Sequence, residues 1–302
     1  MNTGYDASGL KKTAHSLERI ILQDPGKRGL DKWGIKGGLF TAAESLVKGR
    51  SILLATGFYI VSAGVIETDG PPGAAVLALA LEKMGMRVTI LTDDHAEEIM
   101  KTSLESIGSM SEVRSFKCGE NPDINKILDY DTTHFIALER PGRSADGFHY
   151  NFRGVNISSY LAPFDEAYIE AQKRGITTIA IGDGGNELGM GDVGSSVDKY
   201  VAPGRAFSCG ISSDICICAG VSNWAGYALA AMLSRIAGEN LMADRAVFDD
   251  MLKGIVNLGA VDGVSGLKEV TVDGLDLSWE ERIYMEMYKA ASGEDYIPGM
   301  DL

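Results

Sequence analysis

At 302 residues with 45% hydrophobic content, the chain holds enough apolar material for a large core. Its 28 lysines and arginines face 42 aspartates and glutamates, a net charge of -14, and so acidic a surface repels phosphodiester backbones and anionic lipid, which excludes nucleic acid and membranes as partners. The opening MNTGYDASGLKKTAHSLERI has no apolar h-region, no run approaches the roughly 20 apolar residues that span a bilayer, and Cys118, Cys209, Cys216 and Cys218 are too sparse for a disulfide framework. These features lead to the expectation of a soluble, cytoplasmic chain.

Leu10, Ala14, Leu17, Ile20 and Ile21 lie on one helical stripe over residues 7–22, which ends near Asp24-Pro25-Gly26. Residues 30–38 read as a loop and 39–47 as a second helix, and this N-terminal part is assigned to packing or a subunit contact. A strand at 51–56 ends on Thr56, Gly57 and Phe58. Glu67-Thr68-Asp69-Gly70-Pro71-Pro72-Gly73 then leads into a helix over 74–84, with prolines where a helix begins. Strands at 86–92, 113–118 and 133–139 alternate with helices at 95–107 and 121–128. That grammar predicts an α/β fold, a doubly wound, mostly parallel sheet with helices on both faces, Rossmann-like. The chain reads as one α/β domain: a helical segment at 1–50, a core carrying the site at 51–240, and helices and a loop at 241–302.

The fourth strand delivers a long irregular connection, residues 139–156, with Glu139, Arg140, Arg143, Asp146, His149, Tyr150 and Asn151. In an acidic protein, Arg140 and Arg143 are candidate forks for a substrate carboxylate. A helix at 165–173 precedes the central run ITTIAIGDGGNELGMGD at 176–192, where a β-branched strand stops at Gly182-Asp183-Gly184-Gly185-Asn186-Glu187. Ligands of open α/β sheets sit beyond the carboxyl ends of the strands, so Asp183 and Glu187 are placed where acid/base or cation-binding groups belong. Residues 199–203 suggest a short strand, and 214–219 a clear one that ends at Gly220-Val221-Ser222-Asn223 before a small-residue helix. Ser222 and Asn223 serve there as helix caps or as substrate ligands. Cys216 and Cys218 share one strand face and read as buried small hydrophobes. Helices at 244–258 and 278–290, the latter with a Ser278/Glu281 capping box, flank a glycine-rich loop with a strand at 268–272.

Taken together, ATGF at 55–58, ETDGPPGA at 67–74, ER-GR-ADG at 139–147 with YN at 150–151, GDGGNELGMG at 182–191 and GVSNWAGYALA at 220–230 resemble the D-glutamate cyclase family. The resemblance covers roughly residues 50–235 in ordered blocks. It implies an α/β hydro-lyase that converts D-glutamate to 5-oxo-D-proline and water. Closing that lactam requires a neutral amine and an activated γ-carboxyl. Asp183, with Glu187 second, is nominated as the proton acceptor. The amides of Gly184, Gly185 and Asn186 are nominated to stabilise the oxyanion, and Arg140 or Arg143 to hold the α-carboxylate. Thr56, Gly57, Thr68, Asp69, Gly70, Asp146, Tyr150, Asn151, Ser222 and Asn223 complete the expected substrate site. No organic cofactor is expected. The acids Glu67, Asp69, Glu139, Asp183 and Glu187 form an oxygen-only set suited to Mg²⁺ or Mn²⁺, unless they surround the substrate ammonium instead. Another reaction on an acidic amino acid or its lactam, such as 5-oxoproline hydrolysis, and a non-catalytic nucleotide- or metabolite-binding module remain open readings, as does assembly into a homo-oligomer.

Overall fold

The computed structural model describes residues 7–200 and 207–294. Helix α1, Ala7–Ile21, and helix α2, Gly38–Leu46, precede strand β1, Ser51–Ala55. There follow α3 (Pro71–Lys83), β2 (Arg87–Asp93), α4 (Glu97–Ser106), β3 (Glu112–Phe116) and β4 (His134–Leu138). The second half continues with α5 (Asp165–Lys173), β5 (Thr177–Gly182), α6 (Gly191–Tyr200), β6 (Ile215–Cys218), α7 (Ser222–Ala237), α8 (Arg245–Leu258) and α9 (Leu277–Ala291).

The six strands form one parallel sheet in the order β3-β2-β1-β4-β5-β6. This is the doubly wound arrangement the alternation predicts, with the order reversing between β1 and β4. Register across that switch aligns Ala55 with Ala137, and Leu138 with Ile181, so the strands around it end at a common level.

Period-2 alternation divides the strand residues between two cores. Ile52, Leu54, Ile90, Ile136, Leu138, Ile179 and Ile181 face a layer built from α1 to α4 and α7 to α9. Leu53, Ala55, Leu91, Phe135, Ala137 and Ala180 face the other side, which α5 and α6 cover with Ala167, Tyr168, Val193 and Val197. Each fully buried Leu or Ile contributes about 1.5–3 kcal/mol. Cys216 and Cys218 lie within the second core as free, buried thiols.

Several local expectations need correction. Leu30–Trp33 forms one helical turn inside the segment read as loop. Lys199 and Tyr200 close α6 instead of opening a strand, while 201–203 lie outside the described residues. Asp276, not Ser278, caps α9, accepting from Ser278 N. The strand expected at 268–272 is a two-residue pairing, Thr271–Val272 with Leu275–Asp276, around a tight turn at Asp273.

Candidate active site

The three strand ends at the switch point each supply part of one buried polar cluster. After β1, Gly57 adopts φ +110° and its N–H donates to the Glu139 carbonyl (3.2 Å). After β4, Glu139 itself takes φ +46°, a left-handed conformation unusual for a side chain larger than glycine, and its N–H is held by Ile181 O at 3.1 Å. After β5, Asp183 and Gly184 donate their amides to Glu187 Oε1 at 3.0 and 2.7 Å. Glu187 therefore shapes the turn, and the Gly184 amide nominated for an oxyanion is already taken.

The Glu67–Gly73 segment joins this edge through a reciprocal arrangement of helix caps. Asp69 accepts from Ser222 N at 2.9 Å and Asn223 N at 2.8 Å, capping α7. Asn223 Oδ1 accepts from Gly70 N and Gly73 N at 2.9 and 2.8 Å, capping α3. Neither helix bears its cap on its own preceding residue, so Asn223 acts as a cap for its neighbour. Close approach makes this feasible: a Cβ on Gly73 would lie 2.7 Å from Asn223 Cα. Thr68 is also held structurally, its hydroxyl donating to Thr271 O at 2.7 Å.

These elements gather Asp69, Glu139 and Asp183, all buried, with one carboxylate oxygen from each within 4.8 Å of the others. Ser222 Oγ donates to Glu139 at 2.5 Å. Thr56 Oγ1, Asp183 Oδ2 and Glu187 Oε2 are buried here without a hydrogen-bond partner among the described residues. Burial, followed by the field of Asp273, pushes Asp69 up to about 8, against the lowering effect of the amide bonds it receives. Glu67, Glu139 and Asp183 are likewise raised, first by burial and then by neighbouring carboxylates, although Arg28 opposes the rise at Asp183. Burial thus favours the protonated form of these carboxyls while Arg28 favours the charged form of Asp183, opposite biases of the kind that paired acid and base work uses.

Two contributors come from segments assigned to packing or loop. Arg28, just beyond α1, forms ion pairs with Asp183 and, at 3.0 Å, with Asp273. Burial works against the Arg28 charge, but Asp183 and Asp273 outweigh it, so its proton is held more tightly than usual. The only sequence hints were an arginine between glycines after a helix end, and an acid at a turn before Gly274.

The nominated forks lie elsewhere. Arg140 is fully buried and pairs with Asp93 through two bonds of 2.5 and 2.8 Å; it also donates to Ala162 O and Gly57 O and stacks over Phe164. It braces β2 against the 139–164 connection instead of facing the carboxylates. Arg143 pairs with Glu166 at 2.7 Å near the surface. Asp146 is exposed and accepts from Tyr150 Oη (2.6 Å), while Asn151 Oδ1 closes a local turn with Arg153 N and Val155 N. Tyr150 reaches the glycine turn only through its carbonyl, which accepts from Asn186 Nδ2 at 2.9 Å. His149 is a buried partner of Asp165.

An open parallel sheet with buried carboxylates at its switch point defines an α/β protein of the doubly wound class. A profile described as "D-glutamate cyclase-like, C-terminal" matches residues 17–288, and the chain belongs to that family. Human "D-glutamate cyclase, mitochondrial" is 33% identical over 302 residues, a match covering 86% of this chain and 48% of the human protein. This chain thus spans about half the length of that relative, whose name places it in mitochondria. Among the described residues, no helix is long and apolar enough to cross a membrane.

Proposed function

We propose that this site cyclises D-glutamate to 5-oxo-D-proline. The observation that carries the reading is the convergence of Asp69, Glu139 and Asp183 oxygens within 4.8 Å in a buried site. In the reaction the α-nitrogen bonds to the γ-carboxyl carbon, one C–O bond breaks, and two protons pass from nitrogen to the departing oxygen, which leaves as water. No proton is consumed overall. The enzyme therefore needs a base that receives a proton from the ammonium and an acid that supplies one to the oxygen.

Asp183 is the base in this reading, since its Oδ2 is buried without a donor. Asp69 and Glu139, raised by burial, are the acids beside it. Ser222, which bonds Glu139, orients that carboxyl. Family membership and the name of the human relative support the substrate. The same three carboxylates would hold Mg²⁺ or Mn²⁺, which would polarise the γ-carboxyl oxygen.

Purified protein incubated separately with D-glutamate, L-glutamate and a nucleotide panel tests the proposal. Lactam from D-glutamate supports it. Tight nucleotide binding without turnover of any amino acid would replace it with a binding module. Dialysis against a chelator, followed by Mg²⁺ or Mn²⁺ addition, tests the cation: loss and recovery of turnover support it, and unchanged turnover removes it.

A further inference from the structure

We infer that Arg28 is the substrate-carboxylate anchor of this site and sets its preference for α-amino acids over simple amines. The inference rests on the cyclase reading for the identity of the ligand, though not for the anchor itself. Three observations carry it.

First, Arg28 forms ion pairs with Asp183 and Asp273, while Arg140 and Arg143 are engaged with Asp93 and Glu166. Second, its backbone is rigidly presented. Asp24 accepts from the amides of Arg28, Gly29 and Leu30 at 2.8, 2.8 and 3.1 Å, and Trp33 Nε1 donates to the Arg28 carbonyl at 3.1 Å. Leu30 and Trp33 are buried beside it, fixing the turn to the second core. Third, the side chain is the more exposed member of its ion pair. It is 16% exposed where Asp183 is 5% exposed, and its guanidinium lies 5.6 Å from the centre of the exposed Phe152 ring.

An α-amino acid carries an ammonium and a carboxylate on one carbon. The contact between Arg28 and Asp183 is the mirror of that pair, so the ligand enters by exchange of ion pairs: its carboxylate takes the guanidinium and its ammonium takes Asp183. The buried acids are then never left without a counter-charge. A guanidinium has five donors, so Arg28 can bind the incoming carboxylate while still facing Asp273.

The test crosses a protein change with a ligand change. Binding of D-glutamate and of 4-aminobutanoate, which keeps the amine and the distal carboxylate but lacks the α-carboxylate, is measured by calorimetry for wild type, Arg28→Gln and Arg28→Lys, with melting temperature as the folding control. Arg28→Gln is expected to weaken D-glutamate about 100-fold and 4-aminobutanoate less than threefold, removing the discrimination between them. Arg28→Lys, which keeps the charge and loses the fork, is expected to fall between and carries the test if Arg28→Gln does not fold. Equal weakening of both ligands, the outcome for a merely structural arginine, would overturn the inference. Wild-type binding with the predicted discrimination but no turnover would sustain the anchor and overturn the cyclase reading alone. Failure of wild type to bind either ligand would overturn both.

Discussion

Asp69 and Asn223 cap each other's helices. The Asp69 carboxylate receives the first amides of α7, and the Asn223 carbonyl oxygen receives those of α3, each bond between 2.8 and 2.9 Å. A helix pair locked in this way fixes one of the three clustered acids with no freedom of its own. Asn223→Ala leaves the buried Gly73 amide without its acceptor and the Gly70 amide with Asp69 Oδ1 alone, and is expected to cost about 1–3 kcal/mol in urea unfolding. It should also lower turnover, because Asp69 loses its positioning; an unchanged midpoint would show that the caps are not coupled.

The same helix contact depends on Gly73. An alanine there would press its Cβ into Asn223 Cα, and a Cβ on the opposing Gly226 would lie 2.6 Å from Gly73 O. Gly73→Ala should destabilise the fold by about 1–3 kcal/mol through overpacking. Chemical denaturation against wild type measures it, and a neutral effect would mean that α3 and α7 can part without cost.

Arg140 supports the fold in this structure, so its replacement should act on stability and not on substrate affinity. Arg140→Met leaves the Asp93 carboxylate buried and unpaired, a loss of about 3–5 kcal/mol. If the folded fraction is assayed, KM should be unchanged. A raised KM at native stability would return Arg140 to the substrate site.

Glu280, buried beneath Trp224 and Tyr227, offers a pH test outside the carboxylate cluster. Burial raises it from 4.5 to about 7, despite the lowering effect of bonds from Trp224 Nε1 (2.5 Å) and Tyr227 Oη (3.0 Å). The folded state therefore binds this proton more tightly than the unfolded chain. Its stabilising contribution is complete below 4.5 and is lost as pH rises through about 7. Glu280→Gln should flatten the fall in melting temperature across that window and be the more stable form at about pH 8. Parallel curves for the two proteins would contradict this.

The sheet was legible because each strand is a short apolar run bounded by turn residues, and the helices between them carry clean stripes. The glycine turns at Gly57, Gly70 and Gly182 through Gly185 marked the edge where the acids converge. Arg28 and Asp273 were not legible, since the first sits in a turn after a packing helix and the second in a polar loop near the other end of the chain. Pairing between such distant loops leaves no periodicity to read. Arg140 misled for a related reason: an arginine beside a glycine turn looks the same whether its partner is a ligand or a buried aspartate on the adjacent strand.

Asp183→Asn tests the chemistry with the shape of the side chain kept, because the amide is nearly isosteric with the carboxylate and Arg28 retains Asp273 as a counter-charge. Turnover should drop at least about 100-fold while the melting temperature stays close to wild type. Near-normal turnover would remove Asp183 from the proposed role.

The most direct measurement uses D-glutamate carrying ¹⁸O in both γ-carboxyl oxygens, with wild-type protein and mass spectrometry of the product. The account predicts 5-oxo-D-proline that keeps one labelled oxygen, with the other released in water. No lactam under conditions where the protein is folded and binds the amino acid, or a product that keeps both labelled oxygens as an unclosed γ-carboxyl does, would contradict it.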